Sequence, residues 1–223
     1  MEALKTKSDE SSKMPDNTVV KRILSGEKEL FEILLRRYNQ TLYRAIRSYL
    51  KEEEDINDVM QDTYLKAYEK LQQYQGAAAF STWLIRIGIN EALLRIRNSR
   101  KHQMLYTEPT SHTSEKIFQL SDYHQMNPEK QAIQQEIRRL IERSIDQLSD
   151  KYRVIYVLKE VEGMENSDIA ACLGISDSNV KVRLHRAKNL LKDALYKQAA
   201  SKDIFEFGNQ RCDLLVDNVM KRI

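Results

Sequence analysis

Placed about 100° apart, Arg86, Asn90, Arg97, Arg100 and Lys101 fall on one stripe of a single helix-forming segment. Just upstream, a short loop carrying Gly76 separates Tyr74 from Phe80, and Ser81 or Thr82 is placed to cap the helix. A fixed row of cations beside a loop with aromatic side chains suits single-stranded nucleic acid. Cations hold phosphates, and aromatic faces stack unpaired bases. A solvated basic face on a core helix is the alternative. Trp83, Leu84, Ile87, Ile89, Leu94 and Ile96 are expected to be buried. The separation is imperfect, since Leu93 falls on the polar stripe and Arg95 opposite it.

A second cluster is acidic. Glu52, Glu53, Glu54, Asp55, Asp58 and Asp62 stand between residues 52 and 62 with no base among them. Ile56, Val59, Met60, Tyr64, Ala67 and Leu71 supply a buried side at helical spacing. Two readings stay open: acids that favour the positive end of a helix macrodipole, and a docking face for a basic partner. A metal site is disfavoured because no His or Cys lies nearby.

The third constellation lies toward the C-terminus. Ile169, Ala170 and Leu173 mark a short helix, Gly174-Ile175 a turn, and Ser176 the N-cap of a helix running to about Leu195. Those are the ordered parts of a helix-turn-helix. Val180, Leu184, Ala187 and Leu191 form the inward face. Ser178, Val182, His185, Arg186 and Asn189 point away, flanked by Lys181, Arg183 and Lys188. This outward set suits a major groove, where Arg reaches guanine edges and a short apolar group meets the thymine methyl. A solvent-facing basic helix is again the alternative, and His185 has the simpler option of a phosphate or water contact. Cys172 is expected to pack inside the motif as a small apolar residue.

These segments must be positioned by helices. The 223 residues include only six Gly and three Pro, with no alternating β-branched strands, so the expected fold is all-α. Lys+Arg number 36 and Asp+Glu 33, a net charge of +3, so local charge distribution carries the argument. No apolar run reaches the ~18 residues of a membrane span, and the N-terminus has no signal-peptide core. Cys172 and Cys212 lack metal-ligand spacing and read as free thiols of a reducing cytosol. No cofactor is expected.

Residues 1–17 read as a disordered tail, followed by a short helix from Thr18 to Leu24 ending at Ser25-Gly26. Leu30, Phe31, Leu34, Leu35, Tyr38, Leu42, Ile46 and Tyr49 mark an amphipathic helix within Glu27 to Leu50. Residues 102–127 read as a linker with a helical turn near Lys116 to Leu120. Pro128 opens a helix marked by Ile133, Ile137, Leu140, Ile141, Ile145 and Leu148. Ser149 is placed to cap the next, with Tyr152, Ile155, Leu158 and Val161 inward and Gly163 at its end. Residues 197–223, with Phe205, Phe207, Leu214, Leu215 and Val219, suggest a further helix packed on a folded domain.

Taken together, these motifs resemble a sigma factor of bacterial RNA polymerase, of the small extracytoplasmic-function (ECF) type. Gly26-Glu27-Lys28-Glu29-Leu30-Phe31 is similar to the start of the family's first conserved region. Asp58-Val59-Met60-Gln61-Asp62-Thr63-Tyr64 resembles its polymerase-docking helix. Phe80-Ser81-Thr82-Trp83-Leu84 with Arg86, Ile87 and Asn90 resembles the segment that opens and reads the minus-ten element. Asp168 to Lys188 resembles the helix-turn-helix for the minus-thirty-five element. The match spans roughly Val19 to Lys101 and Pro128 to Leu195.

The resemblance implies two small helical domains, region 2 at 18–101 and region 4 at 128–196, joined by a flexible linker. Asp55, Asp58, Gln61 and Asp62 would dock on the beta-prime subunit of core polymerase, which also includes the beta subunit. Tyr74, Phe80, Thr82, Arg86, Asn90, Arg97, Arg100 and Lys101 would hold minus-ten DNA. Ser178, Asn179, Lys181, Val182, Arg183, His185, Arg186 and Lys188 would face the minus-thirty-five duplex. The role is specificity and strand opening, not catalysis, in the cytoplasm, without membrane insertion and under an anti-sigma factor. The sequence departs from the family's pattern in several places. Gln75 and Ala77 stand where a charged pair is frequent, Ser149 where Pro is usual, Glu165 where Ser starts the helix-turn-helix, and Val182 where Ser is frequent. The loss of the loop charges bears on minus-ten contacts, Glu165 shifts the cap toward Asn166 or Ser167, and Val182 is expected to alter promoter preference.

A free-standing helix-turn-helix regulator explains Ile169 to Lys192 but leaves Asp55 to Asp62 and Tyr74 to Lys101 without a role. A nucleic-acid enzyme lacks a catalytic set.

Overall fold

The computed structural model describes residues 14–105, 128–199 and 218–220, with the side chains of 100–105, 128–132 and 198–199 left aside. Among the described residues there are helices and turns and no strand. The expected helical turn near Lys116 and nearly all of the 197–223 extension fall outside them. Of the extension beyond Ala199, residues 218–220 are helical, with Val219 and Met220 exposed.

Helix α1 spans Asp16–Leu24, two residues earlier than expected. Asp16 is anchored there, accepting from the Arg37 guanidinium and the Tyr38 hydroxyl. A 3-10 turn, Lys28–Leu30, leads into α2, Phe31–Arg47. Helix α3 is Glu53–Glu69, and a 3-10 turn at Leu71–Gln73 precedes the loop to α4, Phe80–Leu105. These helices enclose two apolar clusters. One gathers Val19, Val20, Ile23, Leu34, Ala67, Leu71, Phe80 and Leu84; the other gathers Leu42, Ile46, Leu50, Ile56, Val59 and Ala92. Gly88 lets α4 approach α2 closely, since a Cβ there would sit 2.6 Å from a Leu42 methyl.

The second half is α5 (Pro128–Asp146), α6 (Asp150–Tyr156) running on into a π-helical turn (Val157–Val161), α7 (Asn166–Leu173) and α8 (Asp177–Ala199). Gly174 adopts φ 64°, the left-handed conformation that lets α7 stop and α8 turn away. Ser176 caps α8, its Oγ accepting from the Asn179 amide at 3.3 Å. Ser149 occupies the N-cap position of α6 without a side-chain bond. Helix α7 starts at Asn166, itself one of the two expected caps, because Glu165 takes the N-cap position, also without a side-chain bond. Val161 is 44% exposed, because the π turn rotates it off the face shared by Ile155 and Leu158. Ile133, Ile137 and Ile141 lie exposed along α5.

The two halves are packed on each other. Ala45 of α2 and Ile85 and Ile89 of α4 share one buried cluster with Val154, Ile155, Leu158, Ile169, Cys172 and Val180. Arg153, 5% exposed, is the polar centre of this contact. It donates to the carbonyls of Asp146 (2.8 Å) and Leu148 (2.6 Å), which lie where α5 ends, and to that of Ser48 (2.9 Å), just beyond α2. Asp150 lies 3.3 Å away as counter-ion. A buried cation so placed satisfies carbonyls that no helix bond reaches. Arg153→Ala is therefore expected to lower stability by about 3–5 kcal/mol, read as a shift in the urea midpoint at constant slope. An unchanged midpoint would mean that water serves those carbonyls equally well.

Candidate nucleic-acid and polymerase interface

Helix α3 buries Ile56, Val59, Thr63 and Ala67, which leaves Asp58, Gln61 and Asp62 exposed on the other side. Thr63 is held inside by a 2.6 Å bond to the Val59 carbonyl. Asp55 is half-buried and committed: Arg95 of α4 reaches it at 2.5 Å and Asp58 at 3.5 Å. That explains why Arg95 breaks the polarity pattern of α4. The carboxylates, Asp55 first, hold its guanidinium pKa above the ordinary value. Arg95 was missed as part of the acidic face; its off-stripe position was the available signal.

On α4, Arg86, Asn90 and Arg97 are exposed, as the stripe requires. Arg100 and Lys101 continue the helix, but their side chains lie outside the described residues. Two expected site residues are corrected. Phe80 is 1% exposed, because the helix begins with it and turns its ring into the core. Its ring meets Tyr74 at 5.4 Å, Trp83 at 5.6 Å and Tyr38 at 5.7 Å. It has no free face for a base. Thr82 is 3% exposed and lies within the first turn, so it neither caps the helix nor reaches DNA. Its hydroxyl has no protein partner, and its carbonyl accepts from the Cys172 thiol at 3.3 Å. Burial pushes that thiol up to about 12, with Asp168 adding and Arg86 opposing. Tyr74 is half-buried at the edge of the aromatic cluster, its hydroxyl donating to the Ala78 carbonyl at 2.9 Å. Gly76, at φ 71°, and Ala77 to Ala79 form the exposed loop between. Leu94, expected inside, is 41% exposed.

On α8, Val180, Ala187 and Leu191 are buried, which sets the opposite side outward. Ser178, Lys181, Val182, His185, Arg186 and Lys188 are exposed, with Asn179 and Arg183 half-buried. Two of the cations already have partners: Lys181 pairs with Asp177 at 3.0 Å and Lys188 with Glu160 at 2.9 Å. His185 and Asn189 are 3.1 Å apart. The Arg186 guanidinium beside it, with Lys151, holds the Tyr152 hydroxyl below its ordinary pKa. Among the described residues no group of His, Cys, Asp and Glu is placed to hold a metal ion.

The comparisons with known proteins join these three surfaces. Residues 34–102 match the family model for sigma-70 region 2, and residues 138–191 match that for sigma-70 region 4. The RNA polymerase sigma-H factor of Pseudomonas aeruginosa is 30% identical over 182 residues, covering 81% of this chain and 93% of that protein. The chain belongs to the ECF sigma factors. The ECF sigma-E factor of Escherichia coli K12 is 28% identical over 183 residues, covering 81% of this sigma factor and 94% of its relative. Among solved structures, CnrH in complex with the cytosolic domain of CnrY has a TM-score of 0.56 at 26% identity, covering 83% and 99% of the two chains. RpoE with the anti-sigma factor NepR from Bartonella quintana has a TM-score of 0.58 at 21% identity, covering 74% and 96%, and so shares the fold. This sigma factor acts in transcription initiation with RNA polymerase and promoter DNA, and is not an enzyme.

Proposed function

We propose that the acidic side of α3 docks on core polymerase, that the exposed stripe of α4 holds the melted minus-ten strand, and that α8 reads the minus-thirty-five duplex. The division of labour is 18–101 for docking and opening and 128–196 for duplex recognition. The observation that carries it is the outward placement of three separate polar surfaces, each on a helix whose other side is core. Asp58, Gln61 and Asp62 form the docking face, with Asp55 held behind them by Arg95. On α4 the working set is Arg86, Asn90 and Arg97, with Tyr74 as the nearest accessible ring. Phosphate contacts position the strand and Asn90 supplies a donor and an acceptor for a base edge. The site of action is the cytoplasm, and an anti-sigma protein is the proposed regulator, as NepR is for RpoE.

A test separates this reading from a free-standing regulator. The chain is expected to bind core polymerase and to show little affinity for promoter duplex by itself. Tight promoter binding without core, and none to core, contradicts it.

Within α8, Arg186 is the proposed base reader. Arg186→Ala is expected to cost about 1–3 kcal/mol on the preferred site and to relax sequence preference in a selection from randomised duplexes. A uniform weakening across all sequences would reassign Arg186 to the phosphate backbone.

A further inference from the structure

The side of α8 opposite Arg186 carries an open apolar groove of about 600 Å³. Tyr156 of α6 and Leu191, Leu195 and Tyr196 of α8 line it, with the exposed Lys188 and Lys192 at its edge. Arg186 and Leu195 are separated by about two and a half helical turns, which sets them on opposite sides of α8. Leu191 is buried and Leu195 half-buried, whereas Tyr196 is 64% exposed. Lys192 lies over the Tyr196 ring at 5.6 Å, and Lys188 pairs with Glu160 at 2.9 Å. The result is an apolar surface with a cationic edge, placed along the last turns of α8.

Helix α8 ends at Ala199, and residues 200–223 follow it. Their first part carries Asp203-Ile204-Phe205-Glu206-Phe207, with Gly208 next. In an extended segment alternate side chains share one side, so Asp203, Phe205 and Phe207 point the same way. Their span fits the groove. From Asp203 to Phe207 an extended chain covers ~13 Å at about 3.3 Å per residue. From Tyr196 back to Lys188 the helix covers ~12 Å at about 1.5 Å per residue. Residues 200–202 are left for the reversal, within the roughly 2–6 residues of a short connection.

We propose that the segment from Asp203 to Phe207 folds back along α8 and seats Phe205 and Phe207 in this groove, so that region 4 carries its own cover for the surface. Folded back antiparallel to α8, the segment brings Asp203 level with Lys192 and Tyr196. Phe205 then meets Leu195, and Phe207 meets Leu191 and Tyr156. Acid faces cation and aromatic faces apolar along the whole span. Apart, the groove and the two rings are separate apolar surfaces in water; joined, each withdraws the other from it. The short tether holds the segment at an effective concentration of about millimolar, so it outcompetes a free apolar peptide of equal affinity. The outward side of α8, with His185 and Arg186, stays open to DNA.

Nuclear magnetic resonance of the full chain with labelled leucine methyls tests the placement. Nuclear Overhauser contacts are expected from the Phe205 and Phe207 rings to the Leu191 and Leu195 methyls, at a concentration where sedimentation finds a monomer. Phe205→Ala combined with Phe207→Ala is expected to lower Tm by about 4 °C or more, with helical circular dichroism kept. In a Leu195→Ala background the same pair should cost less than half as much, because the surface it covered is already lost. Lys192→Glu, which sets an acid beside Asp203, is expected to lower Tm by about 1–2 °C. Adding Asp203→Lys should restore it, and this exchange leaves the apolar lining intact. Absent ring-to-methyl contacts, an equal loss in both backgrounds, or no rescue by the charge exchange would each overturn the proposal. Contacts found only between differently labelled chains would place a second copy in the groove and overturn it as well.

Discussion

Asp58→Lys combined with Asp62→Lys is expected to abolish binding to core polymerase while the far-ultraviolet circular dichroism stays near wild type. Both acids are exposed on α3, and the residues that hold the helix in place, Ile56, Val59, Thr63 and Ala67, lie on its other side. The fold loses only the 3.5 Å contact of Asp58 with Arg95. A surface pair of that kind contributes ~0–1 kcal/mol. The docked complex loses more. Truncating one partner of a charged contact buried on binding costs about 2–5 kcal/mol, and reversal adds repulsion. Two such losses move a nanomolar complex beyond detection at micromolar concentration. Unchanged affinity would mean that these acids serve only the start of the helix.

Asn90→Ala is the second large effect. It is expected to leave polymerase binding and closed-complex formation intact and to cut transcript initiation on duplex promoters by ten-fold or more. Asn90 is exposed one turn after Arg86, so truncation removes no core contact. What disappears is the donor and acceptor proposed to meet an unpaired base. A defect that vanishes on a pre-melted bubble assigns Asn90 to opening. A defect that persists there and shifts with the minus-ten sequence assigns it to base reading. Wild-type initiation on both templates removes Asn90 from the site.

Several features were legible from spacing alone. Val180, Ala187 and Leu191 recur at helical intervals, so their burial and the outward placement of Arg186 followed. Ser176 and Gly174 marked the turn by their local chemistry, and both act as expected. Asp58 and Asp62 were placed outward by the same periodicity. Other features depend on partners distant in sequence. Phe80 and Tyr74 are both aromatics beside one loop. Only the packing of Phe80 against Tyr38, on α2, shows that it belongs to the core. Ile89 reads as an ordinary core position of α4, yet the surface that it and Ile85 meet begins more than sixty residues later. Arg153 stands within the apolar run of α6, where no periodicity marks a cation for burial. Its role comes from four carbonyls at the ends of other segments, those of Ser48, Ile145, Asp146 and Leu148. Thr82 was drawn to the site by its position in a motif, but the helix starts earlier than its cap chemistry suggested.

The most direct test of the central claim is permanganate reactivity of thymines around the minus-ten element of a promoter selected from a genomic library by run-off transcription. The account predicts reactive thymines when this chain and core polymerase are both present, and none with either alone. Promoter DNA that the chain protects without core, with every thymine still paired when core is added, would contradict it.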